Sequence, residues 1–206
     1  MDALDYKDLY ERGEFHDDQF QRFGKLDDIE KAIKYGNRAL DAIPNEHPHF
    51  PIQLHCLGAY YDIRFRRLGN LEDIDKSIEQ HVRALELTPD NDSNLPPRLG
   101  DLGVSYTDRY RRLGDISDGE KSIEYNSRSL ALIPGGHPDL PRRHANLGAS
   151  YHDQYRRLGE AGDLEKAIEY KLRALDITPD GHPDLADRQG DLGAACHDRY
   201  RQLGES

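Results

Sequence analysis

Residues 137–179 read HPDLPRRHANLGASYHDQYRRLGEAGDLEKAIEYKLRALDITP, and they contain the landmark residues of one unit of a repeat. Its landmark residues return every 45 residues, without insertion or deletion. They are Gly58, Gly103, Gly148 and Gly193; Pro44, Pro89, Pro134 and Pro179; and Gly24, Gly69, Gly114, Gly159 and Gly204. A fixed period of this length is typical of a solenoid, in which each unit buries its apolar face against its neighbours.

The first half of the unit predicts an amphipathic helix. Pro138 suits its first turn, where the missing N–H costs nothing. Apolar side chains then recur at helical steps of four, four and three, at Leu147, Tyr151, Tyr155 and Leu158. Gly159 follows in the position where a left-handed cap is expected. Gly148 lies inside this helix, where glycine costs about 1 kcal/mol relative to alanine. Its return in every unit therefore predicts close approach of a neighbouring helix.

The second half of the unit predicts another helix. Asp163 suits its N-cap, and Asp28, Asp73 and Asp118 are the equivalent residues. The buried stripe is expected at Leu164, Ala167, Ile168, Leu172 and Leu175. Thr178-Pro179 should end the helix, because proline cannot continue it. Each unit is therefore predicted to be a helical hairpin, with a His-Pro-Asp turn between units.

Composition excludes several function classes. The chain of 206 residues is 36% hydrophobic, has a mean hydropathy of −0.89 and carries a formal charge of −11. This negative charge argues against nucleic acid and against anionic membrane surfaces as partners. No apolar run reaches the roughly 18 residues that a transmembrane helix needs. The first residues lack the order of a secretory signal, and Cys56 and Cys196 are interpreted as reduced thiols. We therefore expect a cytoplasmic, intracellular protein.

Catalytic and metal-binding motifs are not found. There is no glycine-rich phosphate loop, no Gly-x-Ser-x-Gly elbow and no Cys/His pair with a reason to meet. His144, His152 and His197 do not complete a four-ligand metal site. His47, His137 and His182 belong to the recurrent His-Pro turn, where a structural role is expected. The sequence thus predicts a non-enzymatic protein without cofactor or metal.

The unit resembles the tetratricopeptide repeat (TPR). Leu147-Gly148-x-x-Tyr151, followed by Ala167, Ala174 and Pro179, matches the Leu-Gly-x-x-Tyr, small-residue and closing-proline signature. The same pieces stand at Leu57-Gly58-x-x-Tyr61 and Leu102-Gly103-x-x-Tyr106. The usual unit has about 34 residues. The longer unit is similar to kinesin light chain repeats, and to tandem repeats of fungal proteins that carry a caspase-like CHAT domain. The excess lies in a longer first helix and in the His-Pro-Asp turn.

The resemblance implies an all-α fold, an α-solenoid of antiparallel helical hairpins wound into a right-handed superhelix. We predict a single solenoid over residues 1–206. Residues 1–24 form a degenerate capping helix, and four periods follow at 25–69, 70–114, 115–159 and 160–204. A last first-type helix, about residues 183–203, closes the array.

The resemblance also implies a concave groove lined by the first helix of each unit. Partner contacts are predicted on the varying positions that would face this groove: Asp101, Asn146, Asp191, Thr107, His152, His197 and Arg142. Acids and histidines beside small residues favour a peptide carrying Lys or Arg, and a solvated groove without a ligand is the alternative. Arg142 and Asn146 resemble part of the carboxylate clamp of chaperone-binding members, but the equivalent pairs lack it.

Two questions stay open at this level. Asp108-Arg111, Asp153-Arg156 and Asp198-Arg201 should stack in register between units, as a ladder of ion pairs or as a ligand-binding arginine row. The function predicted first is a scaffold that binds a peptide or partner domain. The alternatives are a regulatory or structural arm of a larger, CHAT protease-like protein, and a module that self-assembles into a homo-oligomer through its C-terminal helix.

Overall fold

The structure, a computed structural model, describes residues 5–204. Residues 1–4 of the predicted capping segment and residues 205–206 lie outside this range. Within it the chain forms nine α-helices and no strand, which confirms the all-α prediction. The helices are α1 Tyr6–Phe23, α2 Leu26–Ala42, α3 Phe50–Leu68, α4 Leu71–Glu86, α5 Leu95–Leu113, α6 Ile116–Ala131, α7 Leu140–Leu158, α8 Ala161–Asp176 and α9 Leu185–Gly204.

The odd-numbered helices, called first helices below, pair with the even-numbered second helices as hairpins. α1 packs on α2, α3 on α4 and α7 on α8, and each of α2, α6 and α8 also contacts the first helix that follows it. Apolar stripes meet at these contacts, as in the cluster of Ile29, Ala32 and Ile33 with Leu57 and Tyr60. Burial of such stripes between neighbouring helices is the main source of stability in a stacked array.

The chain divides into two compact units, Met1–Asp101 and Leu102–Ser206. The boundary falls within α5. Each unit has its own apolar clusters, such as Ile43, Phe50 and Leu54 in unit 1, and Leu164, Ile168 and Ala195 in unit 2. One continuous solenoid over the whole chain stays a prediction.

Glycine ends the first helices as the sequence predicts. Gly24, Gly69, Gly114 and Gly159 lie in the left-handed region, with φ between 65° and 75°. The Gly159 N–H donates to the Tyr155 carbonyl at 2.7 Å, and the other three make the equivalent bond. Residues with a side chain rarely adopt this backbone conformation, so glycine allows the chain to turn between the two helices at a low cost in free energy.

The prediction that Asp163 and its equivalents are N-caps is wrong. The second helices begin one turn earlier, at caps Lys25, Asn70, Asp115 and Glu160. Asn70 and Asp115 accept hydrogen bonds from the backbone N–H two residues later, at 3.1 and 3.0 Å. The helix begins this early because it follows the glycine cap of the preceding helix after a single residue.

The displaced aspartates join the two helices of a hairpin instead. Asp118 accepts a pair of hydrogen bonds from Arg109, at 2.9 and 2.7 Å, and Asp73 is bound likewise by Arg64. Asp163 accepts one bond from the Gln154 amide at 2.9 Å.

The His-Pro turns have the structural role that the sequence predicts. The Nδ1 atoms of His47, His137 and His182 each accept a hydrogen bond at 3.1 Å from the backbone N–H two residues later. The second turn has Asp92 at this position, and its carboxylate accepts the same bond from the Asn94 N–H at 2.8 Å. These side chains replace a backbone acceptor and hold the turn.

Candidate functional site

In α3, α5 and α7 the glycine inside the first helix contacts one side chain of the partner second helix. A Cβ added to Gly58 would lie 2.9 Å from His81, one on Gly103 would lie 2.7 Å from Asn126, and one on Gly148 would lie 2.9 Å from Lys171. These separations are shorter than real Cβ contacts, which confirms the predicted close approach. Gly193 differs, because an added Cβ there would meet nothing within 4 Å.

His81, Asn126 and Lys171 occupy one register position of the repeat, and they are buried polar residues. The equivalent residue in α2 is Gly36. This position was missed in the sequence analysis because it lies within the apolar stripe of the second helix. A single polar residue in such a stripe looks like an isolated departure from the apolar pattern. The detectable signal is its constant offset of 23 residues from the recurrent glycine, as in Gly58 to His81.

His81 in unit 1 lies beside a second histidine. The rings of His55 and His81 have centroids 5.0 Å apart, and His55 Nε2 lies 3.4 Å from Asp101 Oδ2. Burial, and then the nearby His55, lower the pKa of His81 from 6.5 to about 3, while Asp101 opposes the shift. His81 is therefore neutral at physiological pH.

Asn126 in unit 2 belongs to a buried group of hydroxyl and amide side chains. Its Nδ2 donates to Ser150 Oγ at 3.0 Å, and Ser150 lies 2.7 Å from Ser122 Oγ. Thr107 Oγ1 donates to the Gly103 carbonyl at 2.9 Å and lies 2.5 Å from Ser122 Oγ. This network links α5, α6 and α7, because each hydroxyl can both donate and accept.

Lys171, also in unit 2, joins a charged group. Its Nζ lies 3.0 Å from His152 Nδ1 and donates to the Asp191 carbonyl at 3.1 Å. Because an ammonium only donates, Nδ1 of His152 accepts and the hydrogen on Nε2 points to Asp198 Oδ2, 2.9 Å away. Burial lowers the pKa of both His152 and Lys171, and the positive charge of Lys171 lowers the pKa of His152 further.

Of the ion pairs predicted within single first helices, Asp108–Arg111 forms at 3.6 Å, but the shorter pairs of this arginine row join neighbouring first helices in unit 2. Arg111 Nε on α5 lies 2.6 Å from Asp153 Oδ2 on α7, and Arg156 Nε on α7 lies 3.1 Å from Asp198 Oδ2 on α9. Desolvation acts to raise the pKa of Asp198, but the hydrogen bonds from His152 and Arg156 outweigh it and lower this pKa.

The seven residues predicted to contact a partner divide by burial. Thr107 and His152 are buried in the networks described above. Asp101 and Asn146 are half-buried, and Asp191, His197 and Arg142 are exposed. Arg142 lies 3.4 Å from Asp139 on its own helix. Thr107 and His152 therefore lie beneath the surface that carries Asn146 and Asp191, and the role of all seven residues in binding stays a prediction.

Across residues 5–204, no three His, Cys, Asp or Glu side chains are grouped as metal ligands would be. The helices in the same range are too short or too polar to cross a membrane.

No protein-family model matches the chain, and no curated protein matches it either. Solved structures of TPR-like repeat proteins are similar to it in fold. One is a variant form of a Podosopora anserina protein described as a kinesin light chain with nearly identical TPR-like repeats. It is 13% identical, the match covers 98% of this chain and 92% of that chain, and the TM-score is 0.70. Another form of that protein has 14% identity, the same coverage and a TM-score of 0.64.

BtubC (BKLC) from P. vanneervenii is also similar, with 16% identity, coverage of 98% of this chain and 85% of that chain, and a TM-score of 0.61. At these identities the likeness shows the fold. The chain therefore has a TPR-like repeat fold, as the resemblance predicts. Arrays of this kind typically present surface to other proteins and are typically non-catalytic.

Proposed function

We propose that this chain is a non-catalytic scaffold that binds a peptide or partner domain through the surface of its first helices. The observation that supports this most is the composition of that surface in unit 2. Small residues, Ala149 on α7 and Ala194 on α9, are half-buried at equivalent positions. Asn146 and Asp191 stand three residues before them, one turn earlier on the same helix face. An extended peptide could approach the helices closely at the alanines and meet polar side chains beside them.

The supporting layer beneath this surface is polar and firmly bonded. Lys171 donates to the carbonyl of Asp191, and Ser150 donates to the carbonyl of Asn146 at 3.1 Å. Both predicted contact residues thus have their backbone tied to a buried side chain. Such a pre-ordered surface reduces the entropy that a partner must overcome on binding.

The partner proposed is a segment that carries Lys or Arg. The Asp191 side chain is exposed, and no ion pair of its carboxylate is formed among residues 5–204. Asp153 and Asp198 on the same face are already paired with arginines, so most of the selectivity for a basic segment should come from Asp191. The overall charge of −11 also favours encounter with a basic partner.

The test compares two sets of variants against a peptide array of Lys- and Arg-rich sequences with acidic sequences as reference. The first set combines Asp101→Asn, Asn146→Ala and Asp191→Asn. The control combines Glu79→Gln and Glu120→Gln, two exposed second-helix acids whose removal changes the net charge by the same amount. The proposal expects the first set to lose peptides that the wild type and the control retain. Equal binding by all three proteins would refute it.

A second candidate, self-assembly, is favoured by the exposed face of α9. Tyr200 is 76% exposed and Leu203 is 70% exposed, and the space beside Gly193 is open. On α7, Tyr155 at the position of Tyr200 is half-buried, and Lys171 lies against Gly148. Sedimentation of the whole chain tests this candidate: Tyr200→Glu with Leu203→Glu should convert an oligomer to a monomer. A wild-type protein that stays monomeric at high concentration would exclude it.

A further inference from the structure

A small cavity in unit 2 lies where the carboxyl ends of α5 and α7 come together. Its volume is about 230 Å³, and it is lined by Tyr110, Arg111, Gly114, Asp153, Arg156 and Arg157. Three guanidinium groups and one carboxylate thus face one cavity, so the lining carries an excess of positive charge. This concentration of arginines is unusual in a chain whose net charge is −11.

Arg157 has a special position in this cavity. Its guanidinium group lies directly over Gly114, where any side chain on that residue would collide with it. Gly114 ends α5, and a cation at the carboxyl end of a helix is favoured by the helix dipole. Within the described residues Arg157 forms no ion pair, whereas Arg111 and Arg156 are paired with Asp153 and Asp198. Arg157 therefore retains its full charge toward the cavity.

The Tyr110 hydroxyl is the second unusual group. Tyr110 is 4% exposed, and its hydroxyl has no hydrogen-bond partner among the described residues. Burial raises the pKa of Tyr110, so the hydroxyl stays protonated and can donate. An unpaired buried hydroxyl is costly. Tyr110 lines the cavity, so a ligand bound there is the acceptor that we infer for this hydroxyl.

Sequence variation around the cavity explains why Tyr110 lies so deep. Its ring packs within 3.1 to 3.2 Å of the place where Gly119 would carry a Cβ. The equivalent second-helix residues are Ile29, Ile74 and Leu164, and beside Leu164 the equivalent aromatic residue, Tyr155, is half-buried. At the next register, between α7 and α9, Leu164 replaces Gly119 and Gln202 replaces Arg157. Gly119 and Arg157 therefore occur together at the cavity between α5 and α7.

The ion pairs of Arg111 and Arg156 hold these side chains in position but use only some of their N–H donors. Arg111 uses Nε for Asp153 and lies 3.6 Å from Asp108 through a terminal nitrogen, and Arg156 uses Nε for Asp198. Each guanidinium has five N–H donors, so both retain hydrogens that can face the cavity. With Arg157 and the Tyr110 hydroxyl, donors approach from several directions. A tetrahedral oxyanion accepts from several directions, whereas a planar carboxylate offers two oxygens.

We propose that this cavity binds a phosphate group, free or carried as a monoester, through Arg111, Arg156, Arg157 and the Tyr110 hydroxyl. The inference does not depend on the proposed peptide-binding surface, because it uses none of the residues tested there. It assigns a ligand-binding role to the arginine row that the sequence left open, in addition to the ion pairs.

The test measures the melting temperature of the whole chain in inorganic phosphate and in sodium chloride of equal ionic strength. Phosphate stabilises many proteins without binding a site. The test therefore compares the phosphate-dependent rise in melting temperature between variants. Arg157→Gln and Tyr110→Phe change the cavity, and Arg128→Gln is the control. Arg128 is exposed, lies in the same unit and pairs with Glu124, so its loss changes the net charge equally. The wild type and the control should show a larger phosphate-dependent rise than the two cavity variants.

Titration calorimetry with inorganic phosphate gives the affinities, and Arg157→Gln should weaken binding about tenfold, as expected for loss of a charge-assisted hydrogen bond. Tyr110→Phe provides a signature that a purely structural role would not produce. It removes an unpaired buried hydroxyl, so the melting temperature without phosphate should be equal or higher, while the phosphate-dependent rise becomes smaller. Far-ultraviolet circular dichroism confirms that each variant is folded.

A second arm identifies the source of the phosphate. N-acetyl-O-phosphoserine amide is titrated in place of inorganic phosphate. Binding of this monoester with equal or greater affinity supports a phosphorylated side chain as the natural ligand, and binding of inorganic phosphate alone supports the free ion. A phosphate response that is the same in the wild type, both cavity variants and the Arg128→Gln control overturns the proposal.

Discussion

Lys171 Nζ lies 3.0 Å from His152 Nδ1, and the opposite ring nitrogen lies 2.9 Å from Asp198 Oδ2. The three side chains come from α8, α7 and α9, so a cation, an imidazole and a carboxylate connect the last hairpin to the final helix. Lys171 and His152 are buried, and the orientation of the imidazole is set by its two partners.

Replacing Lys171 should change the titration of its neighbour. In Lys171→Met the pKa of His152 should rise, because the positive charge that disfavours protonation is removed while the hydrogen bond to Asp198 remains. NMR titration of the His152 ring protons measures this pKa. Lys166→Met, which removes an exposed lysine from the same helix, is the control and should leave it unchanged. A pKa that stays the same in Lys171→Met would show that the lysine charge does not act on His152.

His81 should make the protein less stable in acid. In the unfolded chain this histidine binds a proton below about pH 6.5, whereas in the folded chain it stays neutral until about pH 3. Between these values the unfolded state binds more protons, so stability is present above pH 6.5 and is lost as the pH falls. This one group changes the free energy of unfolding by at most about 1.4 kcal/mol per pH unit.

His81→Asn should reduce this slope, because asparagine does not titrate and already occupies the equivalent position as Asn126. Urea unfolding at pH 7, 6 and 5 gives the free energies of unfolding. His197→Asn, at an exposed site, is the control. If both variants keep the wild-type slope, burial of His81 is not the source of the acid sensitivity.

The interior glycines should respond in opposite directions according to their surroundings. Gly148→Ala should destabilise the protein by about 1–3 kcal/mol, because the added methyl group would press on the Lys171 backbone at 3.1 Å and on the Ala167 carbonyl at 3.2 Å. Gly148→Leu should cost at least as much. Gly193→Ala meets no such neighbour and should stabilise by up to about 1 kcal/mol through helix propensity. Thermal unfolding compares the variants, and a stabilised Gly148→Ala would contradict the packing explanation.

Two equivalent aspartates should differ because their partners differ. Asp118→Asn should cost about 1–3 kcal/mol, because it removes the charge bound by both Arg109 donors in a largely buried pair. Asp163→Asn should cost less, since the Gln154 amide can donate equally well to an amide oxygen. Chemical unfolding of both variants gives the comparison. Equal losses would indicate that the position at the helix start, and not the arginine, determines the contribution.

The fold was largely predictable because its determinants are local and repeated. Gly159 predicted a left-handed end to the first helix, and the structure has φ of 75° there. The apolar stripe of the second helix was predicted in part: Leu164, Ala167 and Ile168 are buried and Leu175 is half-buried, but the prediction for Leu172 is wrong, since it is 42% exposed. The N-cap prediction at Asp163 failed because aspartate suits either a cap or a buried ion pair, and only the neighbouring helix distinguishes the two.

The candidate site was only partly predictable. Thr107 and His152 were selected from their register relative to the Leu-Gly pair, but register does not reveal depth. Both side chains are buried because polar partners from other helices, Ser122 for Thr107 and Lys171 for His152, are available to them. The sequence does not predict the buried Tyr110 hydroxyl, because the Tyr110 ring packs against Gly119 on another helix.

The helices, the hairpin turns, the period and the close approach at the interior glycines can all be derived from the order of the amino acids. Each of these follows from backbone conformation and apolar spacing within one unit, which the repetition makes unmistakable. Which side chain lies against each glycine, and what surrounds that side chain, depends on how the helices pack in three dimensions. His81, Asn126 and Lys171 share one position of the repeat, yet each contacts a different set of side chains. These neighbours belong to other helices and differ between units, so the surroundings of a buried polar group cannot be derived from one unit alone.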